Sequence, residues 1–77
     1  MVEDIKEFIE NYLVKGGLAS SETEFIGMSL CFDMNMTEAD ISELASAIGS
    51  EYGVDVSDEV RYNDTTHTLA ERVNNLL

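Results

Sequence analysis

Residues 37 to 53 read TEADISELASAIGSEYG, and this stretch sets the fold class. Thr37 followed by acids at 38 and 40 has the composition of an N-cap and first helical turn. A threonine hydroxyl can take one of the orphan amide protons there, and carboxylates are favoured at the positive end of the helix dipole. Asp40 stands where a capping box has Glu or Gln, as a shorter substitute. Ile41, Leu44, Ala45, Ile48 and Tyr52 then fall at i, i+3, i+4, i+7 and i+11, the period of one buried helix face. Gly53 suits a left-handed cap. The spacing predicts a helix over about 37 to 52 with Glu38, Asp40, Glu43 and Glu51 turned outward and no base on the same helix to meet them. Such a face is either plain solvation or a docking surface for a basic partner.

On the N-terminal side, Ile5, Phe8, Ile9, Tyr12 and Leu13 repeat with the same helical period, with Glu3, Asp4 and Glu7 early and Lys15 late as the dipole prefers. A helix over roughly 2 to 15 follows, stopped by Gly16 and Gly17. Between the two helices, Ile26, Met28, Leu30, Phe32, Met34 and Met36 alternate with small or polar residues, by period alone a strand. A single strand is not stable, and no second alternating run of that length exists in the chain. The preferred reading is a long, partly buried loop that tucks alternate side chains under a helical bundle, with a strand as the competing one.

On the C-terminal side, Ser57-Asp58-Glu59 can cap one short helical turn through Val60 and Tyr62. A last helix starts near Thr65 or Thr66 and places Leu69, Ala70, Val73, Leu76 and Leu77 on one face. The expectation is therefore an all-α, single-domain chain over 1–77. It is a small four-helix bundle of three main helices and one short one, with a long loop between the first two.

Composition narrows the classes of function. The chain has 77 residues, sixteen acids, four bases, no Pro and no Trp, for a formal net charge of −12. A chain this short buries only about 60% of its unfolded surface, which excludes a large enzyme with a deep cleft. Its 44% apolar residues still suffice for a core, so the acidity does not imply disorder. The bases are Lys6, Lys15, Arg61 and Arg72, and between Lys15 and Arg61 lie ten acids without a single Lys or Arg. Nucleic acid and anionic lipid are disfavoured by such a surface, and a basic protein partner is favoured. Like-charge repulsion also makes a monomer the expectation. Cys31 is alone, so no internal disulfide forms, which fits a reducing cytoplasm. Phe25 to Phe32 is far shorter than a membrane helix needs, and the first residues include acids where a signal peptide would have a basic leader.

Catalytic chemistry is poorly supported. His67 is the sole imidazole, placed near a helix start, and Cys31 has no neighbouring base to make it a thiolate. A Cys/His zinc site cannot be assembled from one residue of each type. Asp33, Asn35 and Thr37 imitate the start of a calcium loop, but its sixth position holds Glu38 rather than Gly and its twelfth Leu44 rather than Glu. Met28, Met34 and Met36 fit a core that needs adaptable fillers. No enzyme is indicated.

From Phe32 onward, the run FDMNMTEADISELASAIGSEYGVDVSDE, followed after a gap by TTHTLAERV, resembles the acyl carrier protein family. Asp33-Met34-Asn35 stands for that family's Asp-Leu-Gly and Glu43-Leu44 for its Glu-Leu. Glu51 to Val56 stands for the end of its second helix and the exit, and Asp58-Glu59 and Thr65 to Val73 complete the pattern over some 46 residues. The resemblance implies a four-helix carrier fold and docking through the second helix onto basic patches of fatty-acid, polyketide or related thioester enzymes. It also implies 4'-phosphopantetheine on a serine at the start of that helix.

Counted back from Glu43-Leu44, the matching position is Glu38, which cannot form the phosphodiester, and the preceding acid is replaced by Thr37. Thr37 becomes the site only if the register slides by one. Ser29 lies nine residues early, and Ser42 falls inside the helix, where its hydroxyl is solvated or bonded back to the backbone. At the first turn, Glu38 either keeps a negative charge where the prosthetic group would have placed its phosphate or is simply a favourable first-turn residue. Two readings follow: a carrier-like protein that docks with or without cargo, and a non-carrier acidic helical domain that binds or regulates through a basic protein partner.

Overall fold

A computed structural model describes residues 1–77 and contains three helices and no strand: α1 (Val2–Lys15), α2 (Glu38–Tyr52) and α3 (Thr66–Leu76). The all-α expectation holds, but the short fourth helix is absent. Residues 57 to 59 form one turn closed by the Glu59 amide on the Val56 carbonyl (3.0 Å). A helix could not continue from it because its backbone groups are engaged elsewhere. The Glu59 carbonyl accepts from the Arg72 guanidinium (3.0 Å), and the Arg61 amide donates to the Asp64 carboxylate (2.8 Å). Ser57 is not the cap expected of it; instead its amide and hydroxyl both donate to Asp55.

Each main helix begins and ends where its residues demand. In α2 the Asp40 amide donates to the Thr37 hydroxyl (3.2 Å) and the Thr37 amide to the Asp40 carboxylate (2.9 Å), a complete capping box. Gly53 closes that helix at φ 72°. The start of α3 repeats the box with Thr65 and Thr68, a pairing the sequence reading did not anticipate. Gly49 is the one glycine inside a helix, and packing explains it: a methyl group there would stand 2.8 Å from the Val54 carbonyl oxygen.

The core joins Ile5, Ile9 and Leu13 of α1, Leu44, Ala45 and Ile48 of α2, and Leu69, Ala70 and Val73 of α3. α1 lies against both other helices, whereas the backbones of α2 and α3 do not closely approach each other. The core is completed by Leu30, Met34 and Met36 from the first loop and Val56 from the second. Phe8 and Tyr52 meet edge to face, with ring centroids 5.6 Å apart, and fasten the end of α2 to α1.

Residues 26 to 36 form a loop, and its alternation is only partly obeyed. Leu30, Met34 and Met36 are buried and Met28 is half-buried, but Ile26 and Phe32 are exposed. Gly27 at φ 73° turns the chain after Ile26. A capped turn follows, in which the Asp33 and Met34 amides both donate to the Ser29 carbonyl. One such turn brings residues four apart to the same side, so Leu30 and Met34 point in and Phe32 between them points out. Leu76 and Leu77 are also exposed, beyond the last turn that packs.

Candidate functional site

Glu38 is the first residue of α2 and is exposed; its carboxylate accepts a long hydrogen bond from the Tyr62 hydroxyl (3.5 Å). It borders an open groove of about 290 Å³ between the start of α2 and the two loops. Cys31, Ile41 and Val60 supply the apolar wall, with Glu38, Arg61 and Tyr62 around it. Burial pushes the Cys31 thiol up, and the Asp64 charge adds to this, so the thiol is the opposite of an activated nucleophile.

The hydroxyls nearest in sequence to the position of the attachment serine are differently placed. Thr37 is exposed, but its oxygen already accepts from the Asp40 amide as the helix cap. The Ser29 hydroxyl accepts from the Phe32 and Asp33 amides and so holds the loop turn. Ser42 is exposed, lies along the groove and makes no hydrogen bond within the chain, which settles it as solvated rather than bonded back. The residues at the position that the resemblance implies therefore do not fit 4'-phosphopantetheine: Glu38 has no hydroxyl, and the Thr37 hydroxyl is engaged in the cap.

The four acids named for docking do not share one face. Glu38 lies on the loop side, beside Tyr62. Asp40 is half-buried and ties up a carboxylate oxygen in the capping box. Tyr12 of α1 has its hydroxyl pushed up by burial first and then by the charges of Glu43 and Asp40. Glu51 is exposed near the far end and, after burial, raises Tyr52. By helical period the ridge pointing straight out is Ala39, Glu43, Ser46 and Ser50, so small residues separate the charges.

Asn35, immediately ahead of the capped start of α2, is the single non-glycine residue with a left-handed backbone, at φ 54°. Asparagine tolerates that region better than other side chains, and glycine better still. Asp33, two residues earlier, accepts from the Ser29 amide (2.7 Å). No group of three or more His, Cys, Asp or Glu side chains is arranged as metal ligands would be, and His67 pairs across one helical turn with Glu71 at 3.5 Å. No helix is long and apolar enough to cross a membrane.

Sequence reasoning missed the buried polar cluster behind the site. Asp64 is 3% exposed and accepts from the Arg61 amide, the Thr68 hydroxyl and the Arg72 guanidinium. Its own carbonyl receives the Leu30 amide (2.9 Å), joining the two loops. Bonding to Asp64 pushes the Arg72 guanidinium above its ordinary value. The only available signal was a lone arginine on α3 eight residues after an aspartate, a spacing that no helix-surface rule flags. Comparison with protein-family models, curated proteins and solved structures finds no match for this chain.

Proposed function

We propose that this chain is an acyl carrier protein-like acidic protein that docks through α2 onto basic patches of fatty-acid, polyketide or related thioester enzymes. The docking acids are Glu38, Asp40, Glu43 and Glu51. The observation that carries this reading is Asn35: the one left-handed non-glycine residue stands where the resembled pattern has its glycine, directly before a capped second helix. That supports the register in which Glu38 occupies the position of the attachment serine. In that register the protein has no arm of its own at the site, and it acts by occupying or regulating a carrier-binding surface. The lone, partly buried Cys31 suits a reducing cytoplasm.

The absence of a hydroxyl at position 38 also favours the second reading, an acidic helical domain that binds a basic partner outside thioester metabolism. Glu38→Ser separates the two. Incubated with a promiscuous phosphopantetheinyl transferase and coenzyme A, this variant is expected to gain one phosphopantetheine by intact mass, mapped to position 38, while the native chain gains none. A variant that stays unmodified while still folded counts against the carrier register. Modification of the native chain at Thr37 or another hydroxyl overturns the assignment of the site.

A further inference from the structure

The groove at the start of α2 has one acid and one base on its wall, and they do not pair. Glu38 and Arg61 are both exposed, and the ion pairs of the chain are Lys6–Glu10, His67–Glu71 and Arg72–Asp64, none of which involves either. Cys31, Ile41 and Val60, all half-buried, make the wall apolar elsewhere. Burial and then the Asp64 charge push the Cys31 thiol up, so it adds no third charge. The Ser42 hydroxyl, also on the groove, has no partner within the chain and is a free donor. Both sides are fastened in place, since the Thr37–Asp40 box fixes the start of α2 and the Arg61 amide is held by Asp64. The other concavities lack this combination. Asp55 is the one charge beside Gly49 and Gly53, and Lys15 the one beside Phe8 and Asn11. In the concavity beside Phe25 and Ile26, Lys6 and His67 are already held by acids of their own helices, at 3.4 and 3.5 Å.

We propose that this groove binds a small zwitterion with an apolar body, as a free apolar amino acid or a dipeptide is. The amine meets Glu38, the carboxylate meets Arg61, and the body lies on Cys31, Ile41 and Val60. The inference goes beyond the docking reading above and does not depend on it. A carboxylate without an amine would bring one more negative charge to a chain of net charge −12 and set it in a groove with Glu38. An amine without a carboxylate would share the groove with an unanswered guanidinium. A zwitterion answers both charges and, being neutral, is not repelled by the chain as a whole. The volume of about 290 Å³ suits so small a ligand, because sites for drug-sized molecules span about 300–1,000 Å³.

The test titrates the full chain at neutral pH and follows amide chemical shifts. The ligands are leucine, leucyl-leucine, isoamylamine, which lacks the carboxylate, and isocaproate, which lacks the amine. Saturable shifts centred on Cys31, Ile41, Ser42 and Arg61 are expected with leucine or leucyl-leucine, and the tighter of the two gives the span between the bound charges. Each singly charged analogue is expected to bind about tenfold or more weakly, as loss of one charge-assisted hydrogen bond implies. Arg61→Gln should bring leucine down to the level of isoamylamine, and Glu38→Gln should bring it down to that of isocaproate. Both positions are exposed, so the helical circular dichroism of the two variants should match that of the native chain. Isocaproate or isoamylamine binding as tightly as the zwitterions would overturn the proposal and leave a site for a single charge. Absence of saturable shifts with all four ligands would overturn the groove as a ligand site and leave docking through α2 standing.

Discussion

The starts of α2 and α3 use the same local device and put it to opposite ends. Each opens with a threonine whose hydroxyl accepts the third amide of the helix, and in each the third side chain bonds back to the threonine amide. Each also has a carboxylate close to the positive end of the helix. At α3 that carboxylate is Asp64, turned inward onto Thr68 and Arg72, and the first helical residue, Thr66, is buried and donates to Glu10 of α1 (2.8 Å). At α2 it is Glu38, which faces solvent with the Tyr62 hydroxyl as its one hydrogen-bond partner (3.5 Å). The cap decides that a helix starts. What surrounds it decides whether the start is a joint of the fold or a surface that another molecule can use.

Deleting each carboxylate is the strongest way to break this comparison. Asp64→Ala leaves a partly buried guanidinium, a threonine hydroxyl and a backbone amide without their acceptor, at a cost of about 3 kcal/mol. A chain of this size has roughly that much stability in total, so the variant should be largely unfolded by circular dichroism. Glu38→Ala should stay within about 0.5 kcal/mol of the native chain in urea denaturation. Equal losses would mean that Glu38 is as structural as Asp64.

The caps themselves should be nearly equivalent. Thr37→Ala and Thr65→Ala are each expected to cost about 1 kcal/mol, measured by the same urea titration. A cost confined to Thr65 would show that the start of α2 frays and that its groove is not held ready for a partner.

The smallest effect lies at the other end of α2. Asp55 is held below the ordinary carboxylate value by the hydrogen bond from the Ser57 hydroxyl (2.7 Å) and then by that from the Ser57 amide. Because the folded value is depressed, its contribution to stability is present above the unfolded value and fades as pH falls through the folded one. Ser57→Ala removes the hydroxyl and keeps the amide, so the Asp55 titration followed by carboxyl chemical shifts should move part of the way back up. An unmoved titration would exclude the hydroxyl as the cause.

Helix existence was legible wherever the cause is local. The apolar periods of α1 and α2, the Thr37–Asp40 box and the left-handed Gly53 could all be read from residues at most four apart or from a single backbone preference. The loop before α2 was legible only in kind. Alternation correctly sent Leu30, Met34 and Met36 inward, but it missed the Ser29-centred turn that throws Phe32 out to solvent. The expected fourth helix failed for a related reason. Its local pattern was reasonable, yet the Glu59 carbonyl and Arg61 amide bond to Arg72 and Asp64. The candidate site divides in the same way: the position of Glu38 came from spacing, while its neighbours Cys31 and Tyr62 came from the fold.

By itself, then, the sequence determined three helices, their caps and an acid-only middle, because those follow from interactions within one or two turns and from composition. Only the tertiary structure decided which loop side chains complete the core, which helix start is sealed and which lies open. Those outcomes depend on pairings such as Leu30 with Asp64, Glu59 with Arg72 and Glu10 with Thr66. Their partners are thirteen to fifty-six residues apart, and nothing in the local pattern of either partner announces the other.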